Sequence, residues 1–206
     1  QYELPAGDEQ RVAIQAWATE DAVRRLLGDA HNLDALIEQA KSRDFRPVPL
    51  GIKTSFTLKN TVTRTPTANV YGVLRGSDPA LADEYVIYTA HHDHLGTGDP
   101  NPADPSDRIY KAAMDNASGV GMVLAIGEAT RALPQPPRRS VMLLFVAAEE
   151  QGLIGSQYFA EHPPIPAGKI AANINYDSGN IWGETRDITF IGLGKSSLDA
   201  VAQEVA

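Results

Sequence analysis

The chain contains no cysteine. That excludes disulfides and thiolate ligands, so any metal must be held by oxygen and nitrogen donors. It is compatible with the periplasm or the cell exterior. No run of 18 apolar residues occurs, so no segment reads as a membrane span. No basic cluster is longer than Arg138-Arg139 and the net charge is −8, which argues against nucleic acid as a partner. The opening Gln1-Tyr2-Glu3-Leu4-Pro5 lacks both the basic and the apolar region of a signal peptide. A start there fits removal of such a segment, and an extracytoplasmic location, periplasmic or secreted, is the expectation. No internal repeat is visible.

What is present suits a soluble globular domain. The 206 residues, 43% hydrophobic and 21% charged, can bury one sizeable core. Val141–Ala147 is an apolar run that reads as a buried strand, followed by Glu149, Glu150, Gly152 and a helix. Buried strands of α/β proteins present functional groups at their carboxyl ends. Two adjacent carboxylates there repel unless a cation or a shared proton joins them. Acids at a helix start are also common simply because they favour the positive end of the dipole.

Three further clusters follow the same pattern. Glu84–Ala90 is a strand ending in His91-His92-Asp93-His94. Lys169–Tyr176 is a strand ending in Asp177-Ser178-Gly179. Met114-Asp115-Asn116-Ala117-Ser118-Gly119 opens a long helix. Parallel strands would bring these ends to one edge of a sheet.

The quartet HHDH, MDNASG, AAEEQGLIGS and NYDSG resembles the zinc aminopeptidases of the M28 peptidase clan, from roughly Ser55 onward. The resemblance implies His91 as a zinc ligand with Asp93 orienting it, and Asp115 as the carboxylate shared by two zincs. It implies Glu149 as the general base, Glu150 as a ligand of one zinc and Asp177 as a ligand of the other. The Asp115–Asn116 peptide is often cis in such proteins. The family also uses a histidine well beyond that last aspartate. The five histidines are His31, His91, His92, His94 and His162, and none follows Asp177. The chain therefore reads as truncated before that ligand. Two zinc ions are expected in the full-length protein, and one or none in this chain, because Asp115 and Glu150 alone offer the second zinc only oxygens.

The implied reaction is removal of N-terminal amino acids from peptides by a metal-activated water, with Glu149 moving its proton. Glutamate-carboxypeptidase-like and glutaminyl-cyclase-like enzymes remain alternatives, as does a non-catalytic module of the same fold. The partner is a peptide substrate; the oligomeric state is unknown. Ser178 has no base within its motif, which argues against a serine hydrolase. His92 and His94 read as polar neighbours at the rim, His94 also as a substrate contact. His162 suits a helix end and His31 the surface.

The expected fold is α/β: a three-layer α/β/α sandwich with a mixed, mainly parallel sheet. Residues 1–45 read as a flanking segment or the remnant of a protease-associated insertion, with Arg11–Trp17 as a strand and Thr19–Leu27 and Leu33–Lys41 as helices. Residues 46–206 read as the peptidase domain, incomplete at its C-terminus. Lys53–Thr63 and Asn69–Arg75 read as a hairpin at the antiparallel edge. Ala117–Leu133 reads as a helix apolar nearly all round, hence buried. Leu153–Glu161 and Ser196–Ala206 are further helices and Asp187–Leu193 a further strand. Thr97–Tyr110, with three prolines and three aspartates, is a loop that should border the site. Its Asp99, Asn101, Asp104 and Asp107 lack the glycine and glutamate of a calcium loop.

Overall fold

The computed structural model describes residues 16–55, 57, 59, 61, 63–186 and 189–205. These divide into two units between Arg64 and Thr65.

The first unit holds two short helices. Helix α1 (Glu20–Leu27) is capped by the Thr19 hydroxyl, which accepts from the Ala22 amide, and stops at Gly28, whose φ of 53° suits glycine. Helix α2 (Leu33–Ala40) is capped in the same way by Asn32 on the Ala35 amide. Arg24 joins the two through Asp34, with Glu20 on its other side. The Arg11–Trp17 strand falls almost wholly outside the described residues.

The second unit is built on a four-stranded sheet in the order β1-β3-β2-β4. The strands are β1 (Val70–Leu74), β2 (Tyr85–His91), β3 (Ser140–Val146) and β4 (Ile170–Asn175). Strand β1 runs antiparallel to β3, and the other pairings are parallel. The sheet is therefore mixed and mainly parallel.

Alternation along β2 and β3 divides the core into two faces. Ile87, Met142, Leu144 and Val146 point to one face, where Phe159 of helix α4 (Ile154–Glu161) packs on them. Leu143 points to the other, where it lies so close to Gly127 of helix α3 (Ser118–Ala132) that a side chain there would collide. Helices thus cover both faces, which makes three layers.

Two expectations need correcting. Helix α3 is not buried all round. It buries the row Gly119, Val123 and Gly127, spaced by four residues, while Leu124 is 54% exposed. Small residues in one row let the helix sit close to the sheet and leave the opposite face in solvent. Of the expected hairpin, Asn69–Arg75 contains β1, which pairs with β3, while Phe56, Leu58, Asn60 and Val62 of Lys53–Thr63 lie outside the described residues. The described part of Asp187–Leu193 is coil and turn, with Gly192 at a φ of 105° interrupting it. Ser196–Ala206 contains helix α5 (Leu198–Val205).

Candidate metal centre

The carboxyl ends of β2, β3 and β4 lie along one edge of the sheet, and each delivers part of the site. Strand β2 ends on His91, which is 2% exposed. Its Nδ1 lies 3.0 Å from the Asp93 main-chain carbonyl. A carbonyl only accepts, so Nδ1 carries the proton and donates. The Nε2 lone pair then faces carboxylate oxygens: Asp115 Oδ1 at 2.9 Å, Asp177 Oδ1 at 3.2 Å and Glu149 Oε2 at 4.0 Å. Acceptors facing one another need a cation between them, either a proton on Nε2 or a metal. Burial pulls the His91 pKa down, but the Asp93 carbonyl and the charges of Asp177 and Glu149 outweigh it and raise the imidazole above its ordinary value.

Asp93 acts here through its main chain. Its carboxylate oxygen is 3.8 Å from His91 Nδ1 and accepts from the Glu149 amide at 3.4 Å. The residue expected to orient the imidazole is beside it, but its carbonyl makes the hydrogen bond.

After β3 the chain turns sharply. The Gly152 and Leu153 amides donate to the Glu149 carbonyl, and the Gly155 amide to that of Ala147. Ala148 takes a φ of 56°, a left-handed conformation that costs a non-glycine residue about 1–2 kcal/mol. This turn sends the two glutamates apart. Glu149 faces His91, whereas Glu150 faces His94, with Oε1 2.5 Å from Nδ1. Burial pushes the Glu149 carboxyl up; Asp177, Glu150 and Asp115 raise it further against the pull of His91. Without a cation, Glu149 is held towards its protonated form.

The Asp115–Asn116 peptide is cis. Asn116 is buried, and its Oδ1 accepts from the amides of Gly119 and Ser178 at 3.0 and 3.1 Å. Asp115 and Asp177 are thereby held side by side. One Asp115 oxygen, Oδ1, is buried and has no hydrogen-bond partner.

The donors fall into two groups in which the ligand atoms lie within 4.8 Å of one another: His91, Asp115 and Asp177, and His94, Asp115 and Glu150. All four sequence-derived ligand candidates are thus brought to one place, with Glu149 beside them. His94 was placed at the rim by sequence reasoning. Its spacing of three from His91 is the signal that could have marked it. The Tyr110 ring stands edge-on to His94 at 6.2 Å, so the loop from Thr97 to Tyr110 does border the site. Its Asp104 and Asp107 serve their own loop and Lys111. His92 contacts the Ala68 carbonyl, His31 the Leu50 carbonyl, and His162 stacks on Tyr158.

The donor set suits zinc, which takes imidazole nitrogen and carboxylate oxygen and, at catalytic centres, three protein ligands with a position left open. The buried, unpartnered Asp115 oxygen and the opposed lone pairs at His91 are what a cation there would satisfy. Beside the centre a cavity of about 460 Å³ runs along the α4 face of the sheet, from Glu149 and Asp177 to Phe159.

The sequence profile of Peptidase family M28 matches residues 69–206. Aminopeptidase NAALADL1 of Mus musculus is 31% identical over 117 residues, which cover 55% of this chain and 14% of that protein. This chain therefore spans about a seventh of that relative's length. Among solved structures, a peptidase M28 precursor from Shewanella amazonensis is similar at 31% identity and a TM-score of 0.42, over 53% of this chain and 22% of the other. BSAP, a zinc aminopeptidase from Bacillus subtilis, is similar at 24% identity and a TM-score of 0.40, over 53% and 24%.

Proposed function

This chain belongs to peptidase family M28, and from that premise we propose that it carries the catalytic centre of a zinc-dependent exopeptidase removing N-terminal amino acids from peptides. The observation that carries this reading is the convergence of His91, Asp115 and Asp177 around one imidazole nitrogen, with the Glu149 carboxylate 4.0 Å from that nitrogen.

His91, Asp115 and Asp177 would hold a zinc ion, and Glu150 would contribute beside Asp115. When bound, zinc supplies Lewis acidity towards a carbonyl and lowers the pKa of water. A cation among these carboxylates would also offset the upward shift at Glu149, whose pKa is raised by burial and then by its acidic neighbours. Glu149 is then ionised and accepts a proton at its carboxylate from the attacking water. It returns that proton to the nitrogen of the departing amine. The Asp93 carbonyl keeps the proton of His91 on Nδ1 and so keeps Nε2 available as a ligand.

The test uses zinc-loaded protein, both as this chain and as the longest native form that contains it. Peptides with a free N-terminus are compared with N-acetylated and C-amidated versions. Release of the first residue, blocked by acetylation and indifferent to amidation, is the expected result. Sensitivity to amidation instead identifies a carboxypeptidase. Pyroglutamate formed from glutaminyl peptides identifies a cyclase. No turnover by either zinc-loaded form identifies a non-catalytic module.

A further inference from the structure

We propose that Asn69 is a positioning residue for Glu149, its side-chain amide clamping both ends of the turn that presents this glutamate to the metal centre. The inference rests on the exopeptidase reading above, in which Glu149 moves the proton.

The topology brings Asn69 to the site. Strand β1 is antiparallel to its neighbour β3, so it starts at the edge where β2, β3 and β4 end. Val70 pairs with Phe145, which sets Asn69, the residue before β1, beside the end of β3. Asn69 is partly buried there.

Two hydrogen bonds define its role. The Ala147 amide donates to Asn69 Oδ1 at 3.0 Å, and Asn69 Nδ2 donates to the Gly155 carbonyl at 2.8 Å. A main-chain amide only donates and a carbonyl only accepts, so this pair of partners requires a side chain that offers both an acceptor and a donor. The Gly155 amide donates in turn to the Ala147 carbonyl. Ala147 and Gly155 are therefore joined twice, once directly and once through Asn69. The segment between them, with Glu149 and Glu150 in it, is a closed loop pinned at both ends.

The fit around the clamp is close. Gly155 is buried, and a Cβ there would run into the Ala147 carbonyl and lie 2.6 Å from Asn69 Oδ1. Glycine at this position makes room for the asparagine.

The clamp also has a strained turn to hold. Within the loop, Ala148 and Leu153 take φ values of 56° and 62°. Non-glycine residues keep such conformations only where their surroundings over-determine them. Released, the loop can relax to ordinary backbone angles, and Glu149 then leaves it in another direction. The Glu149 carboxylate stands 4.0 Å from His91 Nε2. The tie of its amide to the Asp93 carboxylate is long, at 3.4 Å, and holds it less firmly. For a group that moves a proton, a displacement of about 1 Å costs up to about a hundredfold in rate.

The competing role for Asn69 is that of a staple, which stabilises the unit and leaves the chemistry alone. Turnover of aminoacyl p-nitroanilides by the longest native form separates the two, measured at saturating zinc and expressed per folded, zinc-loaded molecule. Asn69→Ala should lower kcat by at least about tenfold while KM stays within about threefold, because a displaced base is missed in the transition state and not in substrate binding. Asn69→Asp keeps the shape and the acceptor but turns an oxygen on the Gly155 carbonyl, so its kcat should fall in the same sense. It carries the reading if Asn69→Ala does not fold. Met142→Ala, which empties core space without touching the turn, should lower the midpoint of thermal unfolding and keep kcat. In a Glu149→Gln background, Asn69→Ala should lower the residual kcat by less than about threefold, because the group it positions is already gone.

Unchanged kcat in the Asn69 variants, a loss confined to KM, or a full further loss on top of Glu149→Gln overturns the positioning role. So does failure of both Asn69 variants to fold, which makes Asn69 a residue of the fold alone. No turnover by the unsubstituted protein overturns the exopeptidase reading instead, which separates the two failures.

Discussion

The Asn116 side-chain amide donates to the main-chain carbonyl of Tyr176 at 2.9 Å. This one bond, with the two its oxygen accepts, ties the turn that carries Asp115 to the turn that carries Asp177. The spacing of two ligands from different elements is therefore set by a residue that is itself no ligand candidate. Asn116→Ala leaves a buried carbonyl and two amides without partners, each worth about 1–3 kcal/mol when orphaned. A destabilisation of about 2–4 kcal/mol in chemical denaturation is expected, together with zinc affinity about 10–100-fold weaker at the His91 group. Unchanged affinity in a folded variant would show that each turn holds its aspartate unaided.

Glu149→Gln separates proton transfer from metal binding. Glutamine keeps the shape of the side chain but accepts no proton. Peptide hydrolysis by the longest native form should fall by at least about a hundredfold while the zinc content stays the same. Both are measured on one preparation. Retained turnover at normal zinc content would remove Glu149 from the reaction.

The metal-free chain should lose stability as the pH rises. Glu149 and His91 both have pKa values raised above the ordinary 4.5 and 6.5. A group whose pKa is raised by folding stabilises fully below its unfolded value, and that contribution is lost as the pH climbs through the folded value. The Glu149 contribution thus fades upward from 4.5, and that of His91 upward from 6.5. Zinc acts in the opposite sense, because its ligands must be deprotonated. Thermal unfolding in chelator and in zinc, from about pH 5 to about pH 8, should show the two midpoints diverging as the pH rises. A chelated midpoint that rises across this range counts against the cluster as described.

Two glycines of α3 should respond oppositely to alanine. A Cβ on Gly119 would run into Asn116 Oδ1 and lie 2.7 Å from the Tyr176 carbonyl oxygen, whereas nothing lies within 4 Å of one on Gly121. Gly119→Ala should destabilise by about 1–3 kcal/mol and weaken zinc binding, since it pushes on the Asn116 tie. Gly121→Ala should be neutral or stabilising by up to about 1 kcal/mol through helix propensity. Equal effects of the two substitutions would refute the close approach at Gly119.

The ligand candidates were legible because the relevant signal is local. Each sits where an apolar strand run stops or where a helix begins, and the run itself says that its end is at a sheet edge. The Asn116 tie was not legible, because its partners lie about sixty residues away and a lone asparagine carries no mark of them. The place of His94 depended on where Glu150 points, and that follows from the left-handed turn at Ala148.

Strand β2 lies between β3 and β4, so His91 meets Asp177 across 86 positions of sequence and His94 meets Glu150 across 56. Contacts of such long sequence separation form only when the sheet that carries them has closed. In the unfolded chain Asp115, Glu150 and Asp177 are dispersed from the histidines, so the folded ligand set is lost. Zinc uptake is therefore a reporter of the folding of the sheet unit. A substitution buried far from the edge, such as Met142→Ala under α4, should lower apparent zinc affinity once the unfolded population becomes appreciable, without touching a ligand. Conversely, zinc at a concentration above its dissociation constant should rescue variants of the distant core, and rescue them more than variants of the site, whose own affinity is weakened.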